Sequence, residues 1–116
     1  MQMMWDEEVS VGVLTTTVAS VDDARRLARE AVSQQLAACV QIAQIESHYV
    51  WKGEAYSEPE WRVVFKTTRA GMAALSQWLA GGAHPYELPQ LLMREEAASL
   101  DYARWVQAQL QPALKA

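Results

Sequence analysis

CVQIAQIESHYVW (39–51), KG (52–53) and EAYSEPEWRVVFKT (54–67) form the stretch that decides how the rest of the chain folds. Two runs rich in Val, Ile, Tyr, Trp and Phe flank a Lys-Gly pair, and such a pair makes a two-residue hairpin turn in which glycine supplies the positive φ. If Lys52-Gly53 is the turn, facing residues have numbers that sum to 105. Tyr49 then faces Tyr56, Ile42 faces Val63, Val40 faces Phe65 and Cys39 faces Lys66. The Ile42 and Val40 pairs give one coherent apolar face, so the register is self-consistent. Pro59 cannot donate to a ladder, which predicts a bulge or an unpaired stretch between Glu58 and Glu60. Strands of about 13 residues at about 3.3 Å each should overhang a domain of this size.

Working outward, Ser10 to Val18 is a β-branched run with Val9, Val11 and Val13 on one face and Leu14 on the other, a first strand buried on both sides. Ser20 caps a helix with Asp22 and Asp23 in its first turn, and Ala24, Leu27, Ala28 and Ala31 recur on one stripe. After the hairpin, Thr68 caps a second helix, with Met72, Leu75, Ser76 and Leu79 facing a core and Gly81-Gly82 ending it. Gln90 to Met93 reads as a short fourth strand. Ser99 caps a last helix, with Leu100, Ala103, Val106 and Leu110 on one stripe, and Pro112 lies past its end.

The order strand, helix, strand, strand, helix, strand is α+β: a ferredoxin-like βαββαβ sandwich with an extra C-terminal helix and a long hairpin between its second and third strands. Right-handed crossovers place the two crossover helices on one face of the sheet, so the other face is expected to stay uncovered in a monomer. A bare face and a long exposed edge are both removed by self-association. The chain reads as a single domain, 1–116, with its core at 9–110 and residues 1–8 flexible.

Composition narrows the function. The chain has 116 residues, 51% of them hydrophobic and 21% charged, which describes a globular domain large enough to need no disulfide or metal staple. Ten basic residues against 14 acidic ones give a net charge of −4. The densest basic group, Arg25-Arg26 with Arg29, is interleaved with Asp22, Asp23 and Glu30, so no stripe suited to nucleic acid exists. No apolar run approaches a membrane span, and the acidic start lacks the basic residues of a secretory signal, which makes the cytoplasm the expected compartment. The single cysteine, Cys39, excludes an internal disulfide and every CxxC motif, and its setting in Leu-Ala-Ala-Cys-Val is that of an inert thiol. No glycine-rich phosphate loop is present. An enzyme is not expected.

His84-Pro85-Tyr86-Glu87-Leu88-Pro89 is the stretch with the most chemical character. Two prolines fix φ twice and push His84 and Leu88 towards extended geometry, giving a stiff segment that presents an imidazole, a phenol and a carboxylate. It reads either as a rigid lead-in to a strand or as a binding loop.

Read in order with Leu36-Ala37-Ala38-Cys39-Val40, Tyr49-Val50-Trp51-Lys52-Gly53, Phe65-Lys66-Thr67 and the Tyr102/Trp105 pair, that segment resembles the CutA family of divalent-cation-tolerance proteins, from about Val11 to about Leu110. The resemblance implies a homotrimer whose long hairpins pack around a threefold axis, and a role in the response to divalent metal ions. It also implies a copper site made of a thiol at the end of the first strand and two adjacent histidines before Pro-Tyr. This chain holds Thr15 and Ala83 at two of those positions, so only His84 carries over. A lone imidazole beside Glu87 implies at most weak Cu(II) or other divalent-cation binding, and a hydrogen-bonded loop histidine is the plainer reading. The family's likeness to PII signalling trimers raises an alternative: a module that binds a small anionic ligand or a protein. Tyr49, Trp51, Glu60, Lys66, Tyr86 and Glu87 are the residues to line such a cleft, with aromatic walls and a few fixed charges. They could equally pack an overhanging hairpin.

Overall fold

The computed structural model describes residues 9–116, so the expectation for residues 1–8 lies outside the described residues. Strand β1 (Ser10–Val18) leads into helix α1 (Val21–Ser33), followed by the hairpin β2 (Cys39–Trp51) and β3 (Glu54–Thr67). Helix α2 (Arg69–Trp78) comes next, then a wide helical turn (Leu79–Ala83), β4 (Leu92–Ala97), α3 (Leu100–Ala108) and a short 3-10 turn (Pro112–Leu114). The sheet order is β2-β3-β1-β4, antiparallel throughout, which is the ferredoxin-like arrangement.

The three helix starts follow their capping residues. Ser20 accepts from the Asp23 amide, Thr68 from Gly71 and Ser99 from Tyr102, each satisfying a donor the first turn leaves free. Gly82, at φ 125°, turns the chain out of the wide helical turn towards His84. Gly12 is needed for closeness, not for φ: a Cβ there would lie 2.6 Å from the Thr68 carbonyl oxygen, so its absence lets the start of α2 rest on β1.

The main core lies between the sheet and helices α1 and α2. Leu14 and Val18 of β1 and Val63 and Phe65 of β3 meet Leu27, Ala31, Leu75 and Leu79 there, all essentially inaccessible to solvent. The opposite sheet face departs from expectation. Helix α3 folds back over it and packs Ala103 and Val106 on Val11 and Val13, so this end of the second face is covered within one chain. The chain then rounds the sheet. Gln111 donates to the Gln35 carbonyl, and the Leu114 carbonyl accepts from the Thr68 hydroxyl beside the main core. The apolar stripe on α3 carried this information, because a helix needs a partner for its buried side.

Lys52 (φ 50°) and Gly53 (φ 80°) form the turn, and the register runs unbroken from Cys39↔Lys66 to Trp51↔Glu54. The bulge expected at Pro59 does not form; Pro59 faces Glu46 in a continuous ladder. Counting in alternation from the turn, the nitrogen of Pro59 points away from β2, towards the β1 side of the sheet. On that side β1 has already ended, with Val18 opposite Trp61, so the missing N–H falls where no acceptor waits. The same ending leaves residues 45–51 and 54–60 projecting as a two-stranded arm, and the molecule measures 51 × 33 × 20 Å. The fourth strand also differs, starting at Leu92 and running to Ala97 through Arg94, Glu95 and Glu96. As an edge strand it needs only backbone pairing with β1 and keeps all six side chains exposed, so its sequence shows no apolar alternation.

Candidate functional site

Between the projecting arm and the loop that follows α2 lies an open cleft of about 870 Å³. Thr17, at the end of β1, sits on its floor; Tyr49 and Trp51 come from β2, Glu60 from β3, and Tyr86 and Glu87 from the loop. Each element contributes for a local reason. The arm projects because β1 is short, and the loop is held across its base by His84 and the two prolines.

His84 is the loop's anchor, only 5% exposed. Its Nδ1 accepts from the Tyr86 amide at 3.0 Å. Its Nε2 lies 3.0 Å from the Thr17 carbonyl oxygen and 2.9 Å from the Thr16 hydroxyl. A carbonyl only accepts, so Nε2 carries the proton and donates while Nδ1 is the acceptor. Burial pushes the imidazole below its ordinary value, against the upward pull of the Thr17 hydrogen bond. Both nitrogens are therefore committed within the chain, and no lone pair faces solvent. A metal at His84 would have to displace the Tyr86 amide. Ala83 offers only its carbonyl nearby, and that accepts from Arg26 Nη2 at 2.8 Å. Thr15 is buried in the strand beside Val64 and Leu92. Among the described residues, no three or more His, Cys, Asp or Glu side chains converge in a metal-ligating group.

Tyr86, edge-on to His84 with centroids 5.0 Å apart, reaches back over the sheet and donates its phenol to Glu60 Oε2 at 2.6 Å. Burial, then the bond to Glu60 and its charge, push the Tyr86 phenol well above the tyrosine range, so it stays a donor at any physiological pH. Glu60 is only 8% exposed, an acid in the floor of a cleft. Tyr49 stacks on Tyr56 at 5.4 Å as the register requires. Loss of solvent and the Glu58 and Glu60 carboxylates raise its phenol.

Five of the six cleft residues expected from sequence, Tyr49, Trp51, Glu60, Tyr86 and Glu87, are thus brought together. Lys66 is not among them. It faces Cys39 and Val13 at the opposite end of the hairpin, six residues from Glu60 or about 20 Å of strand. Without it, the cleft's lining holds three carboxylates, Glu46, Glu60 and Glu87, and no Lys or Arg. Lys52 reaches Glu87 at 3.6 Å from outside. A small anionic ligand therefore does not suit this cleft, because its field repels anions. Glu46 and His48 were missed as lining residues. The register does bring His48 opposite Ser57, but nothing in the pattern showed that the loop would face that part of the arm. Cys39 is half-buried, and its neighbour Tyr102, tilted against Trp105 at 5.7 Å, has its phenol raised by burial and then by Cys39.

The comparisons agree with this architecture. The model of the CutA1 divalent ion tolerance protein family matches residues 12–109. A probable divalent-cation tolerance protein cutA homologue of Encephalitozoon cuniculi is 34% identical over 94 residues, covering 80% of this chain and 82% of the relative. The solved structure of CutA from Synechococcus elongatus shares 40% identity, superposes with a TM-score of 0.86 and is covered over 96% of its length by 92% of this chain. The same protein complexed with a Bis-Tris molecule has 39% identity and a TM-score of 0.82, with 91% of this chain and 99% of that one covered. With the family model spanning the sheet, both crossover helices and the loop that walls the cleft, this chain belongs to the CutA1 divalent ion tolerance family.

Proposed function

We propose that this protein is a non-enzymatic, trimeric CutA-type binding protein whose cleft takes a small polyhydroxylated or amine-bearing molecule. The observation that carries this reading is the nearly buried Glu60 carboxylate, held by the Tyr86 phenol beneath the aromatic wall of Tyr49 and Trp51. A buried acid supported by one neutral donor keeps acceptor capacity for a ligand's N–H or O–H groups, and aromatic faces suit a cation. A CutA from Synechococcus elongatus complexed with Bis-Tris, an amine carrying several hydroxyls, has the same fold and supports this ligand class. The trimer is supported by the projecting arm, which leaves Val50 at 73% and Tyr56 at 38% exposure, apolar surface that association would cover. No described helix is long and apolar enough to cross a membrane.

Calorimetric titration with Bis-Tris, with light scattering on the same sample, tests both parts. The mass should be about three times the 13.0 kDa chain. Glu60→Gln should weaken binding at least tenfold while leaving the mass unchanged. A monodisperse monomer would remove the trimer, and equal Bis-Tris affinity in the variant would remove Glu60 from the site.

A further inference from the structure

At the rim of the cleft sits one aliphatic ammonium group, and it is the chain's own. Lys52 sets its Nζ over the Trp51 ring, 5.5 Å from the centroid, and 3.6 Å from Glu87 Oε2 on the loop. An aromatic face and a carboxylate are together a seat for such a cation. Lys52 and Glu87 are 69% and 73% exposed, so the pair contributes little and exchanges readily with an ammonium from solution. A second seat lies on the floor. Glu60 is nearly buried, and among the described residues no Lys or Arg pairs with it. Its one donor there is the Tyr86 phenol, at Oε2. No buried side-chain oxygen among the described residues lacks a partner, so Oε1, which has none, opens onto the cleft. A carboxylate this far from water without a counter-ion is costly, and a ligand's cation offsets that cost.

We propose that the cleft takes a linear polyamine, with one ammonium at Glu60 and another displacing Lys52 from Glu87 and Trp51. This rests on the amine-binding reading of the cleft and narrows it to an extended polycation. The two seats are not adjacent: Glu54, which faces Trp51, is six residues from Glu60, about 20 Å of strand. A compact amine reaches one seat, whereas a long chain of methylenes and amines reaches both. Aliphatic amines carry their charge at neutral pH, as lysine does, and the lining offers three carboxylates and no Lys or Arg to oppose them. The Tyr49 and Trp51 rings supply apolar surface for the methylenes between. Once one end is bound, the second contact is intramolecular, so affinity rises with the number of linked ammonium groups. Self-association leaves this wall in place. Val50, the apolar side chain that most needs covering, points to the opposite face of β2 from Tyr49 and Trp51, and Tyr56 does not line the cleft.

The test is calorimetric titration of the assembled protein in an amine-free buffer, using spermidine (a linear triamine), n-butylamine and Bis-Tris as separate probes. Spermidine should bind at least tenfold more tightly than n-butylamine, and less tightly as salt is raised. Glu87→Gln should weaken spermidine at least several-fold and leave Bis-Tris within about twofold. Lys52→Asn, which suits the positive φ of the turn, should tighten spermidine by removing the internal competitor. Asp22→Asn, which removes an exposed carboxylate on α1 outside the cleft lining, should change nothing. Spermidine binding no tighter than n-butylamine, or equal weakening by Glu87→Gln and Asp22→Asn, would overturn the proposal while Bis-Tris binding still stood. If neither Bis-Tris nor spermidine binds, the amine-binding reading of the cleft fails with it. The comparison of amines reads the wild-type protein and needs no variant to fold.

Discussion

His84 anchors the loop that walls the cleft, His48 lines the cleft from the arm, and the two have opposite circumstances. His84 is closed in behind the loop, 5% exposed, with Nε2 on Thr17 and Nδ1 on the Tyr86 amide. His48 stands on an arm with no third strand beside it, and its partners are a serine hydroxyl and a carboxylate that water or an ion can replace. The first imidazole is a structural bracket that ties the loop to the end of β1. The second is open to solution chemistry. Residue type alone does not tell the two apart; both rings have each nitrogen hydrogen-bonded, and burial decides which of those bonds solvent can replace.

The sharpest way to break this comparison is to truncate the bracket. His84→Ala should lower unfolding stability by about 2–4 kcal/mol, from lost burial together with an orphaned Tyr86 amide and Thr17 carbonyl. Denaturant unfolding measures it, and a cost near zero would mean the loop is held by its prolines alone. The variant should also lose order at Tyr86, which sits two residues on and reaches Glu60.

A smaller effect sharpens the difference through pH. Because burial holds the folded His84 imidazole below its ordinary value of 6.5, the unfolded chain binds the proton that the folded one refuses. Stability from this group is therefore full above about pH 6.5 and falls as the pH drops below it, until the folded pKa is reached, by at most about 1.4 kcal/mol per pH unit. Asp23 and Glu60 draw that proton in, and Arg26 repels it. Unfolding curves across this range should show the slope in the wild type and a reduced slope in His84→Gln. Equal slopes would move the acid sensitivity to other groups.

The smallest expected effect lies at the other imidazole. His48→Ala should change stability by no more than about 0.5 kcal/mol, as for an ordinary surface substitution. A larger loss would mean that its bonds to Ser57 and Glu46 brace the arm.

Much of the fold was legible because short-range chemistry carries it. The Lys52-Gly53 turn set the hairpin register, and Ser20, Thr68 and Ser99 marked the helix starts before any tertiary contact was known. Pro59 misled, since a missing N–H matters only if its side of the strand has a neighbour, and the length of β1 decides that. Residues 92–97 were hard to read as a strand, because an edge held by backbone pairing leaves no side-chain alternation.

The cleft divides in the same way. Tyr49, Trp51, Glu60, Tyr86 and Glu87 were recognisable from sequence by their chemistry, as aromatics and acids in segments that register and prolines make stiff. Which of them meet, and with what sign of charge, is a matter of distances between segments far apart in the chain. Only the folded structure puts Lys66 about 20 Å down the strand from Glu60, leaving an acidic cleft, and turns His84 inward onto β1. By itself the sequence determined the turns, caps, register and identity of the reactive groups, because those depend on neighbours within a few residues. Tertiary structure decided which groups are spent on holding the fold and which remain free, because a hydrogen-bond partner 67 residues away leaves no local trace.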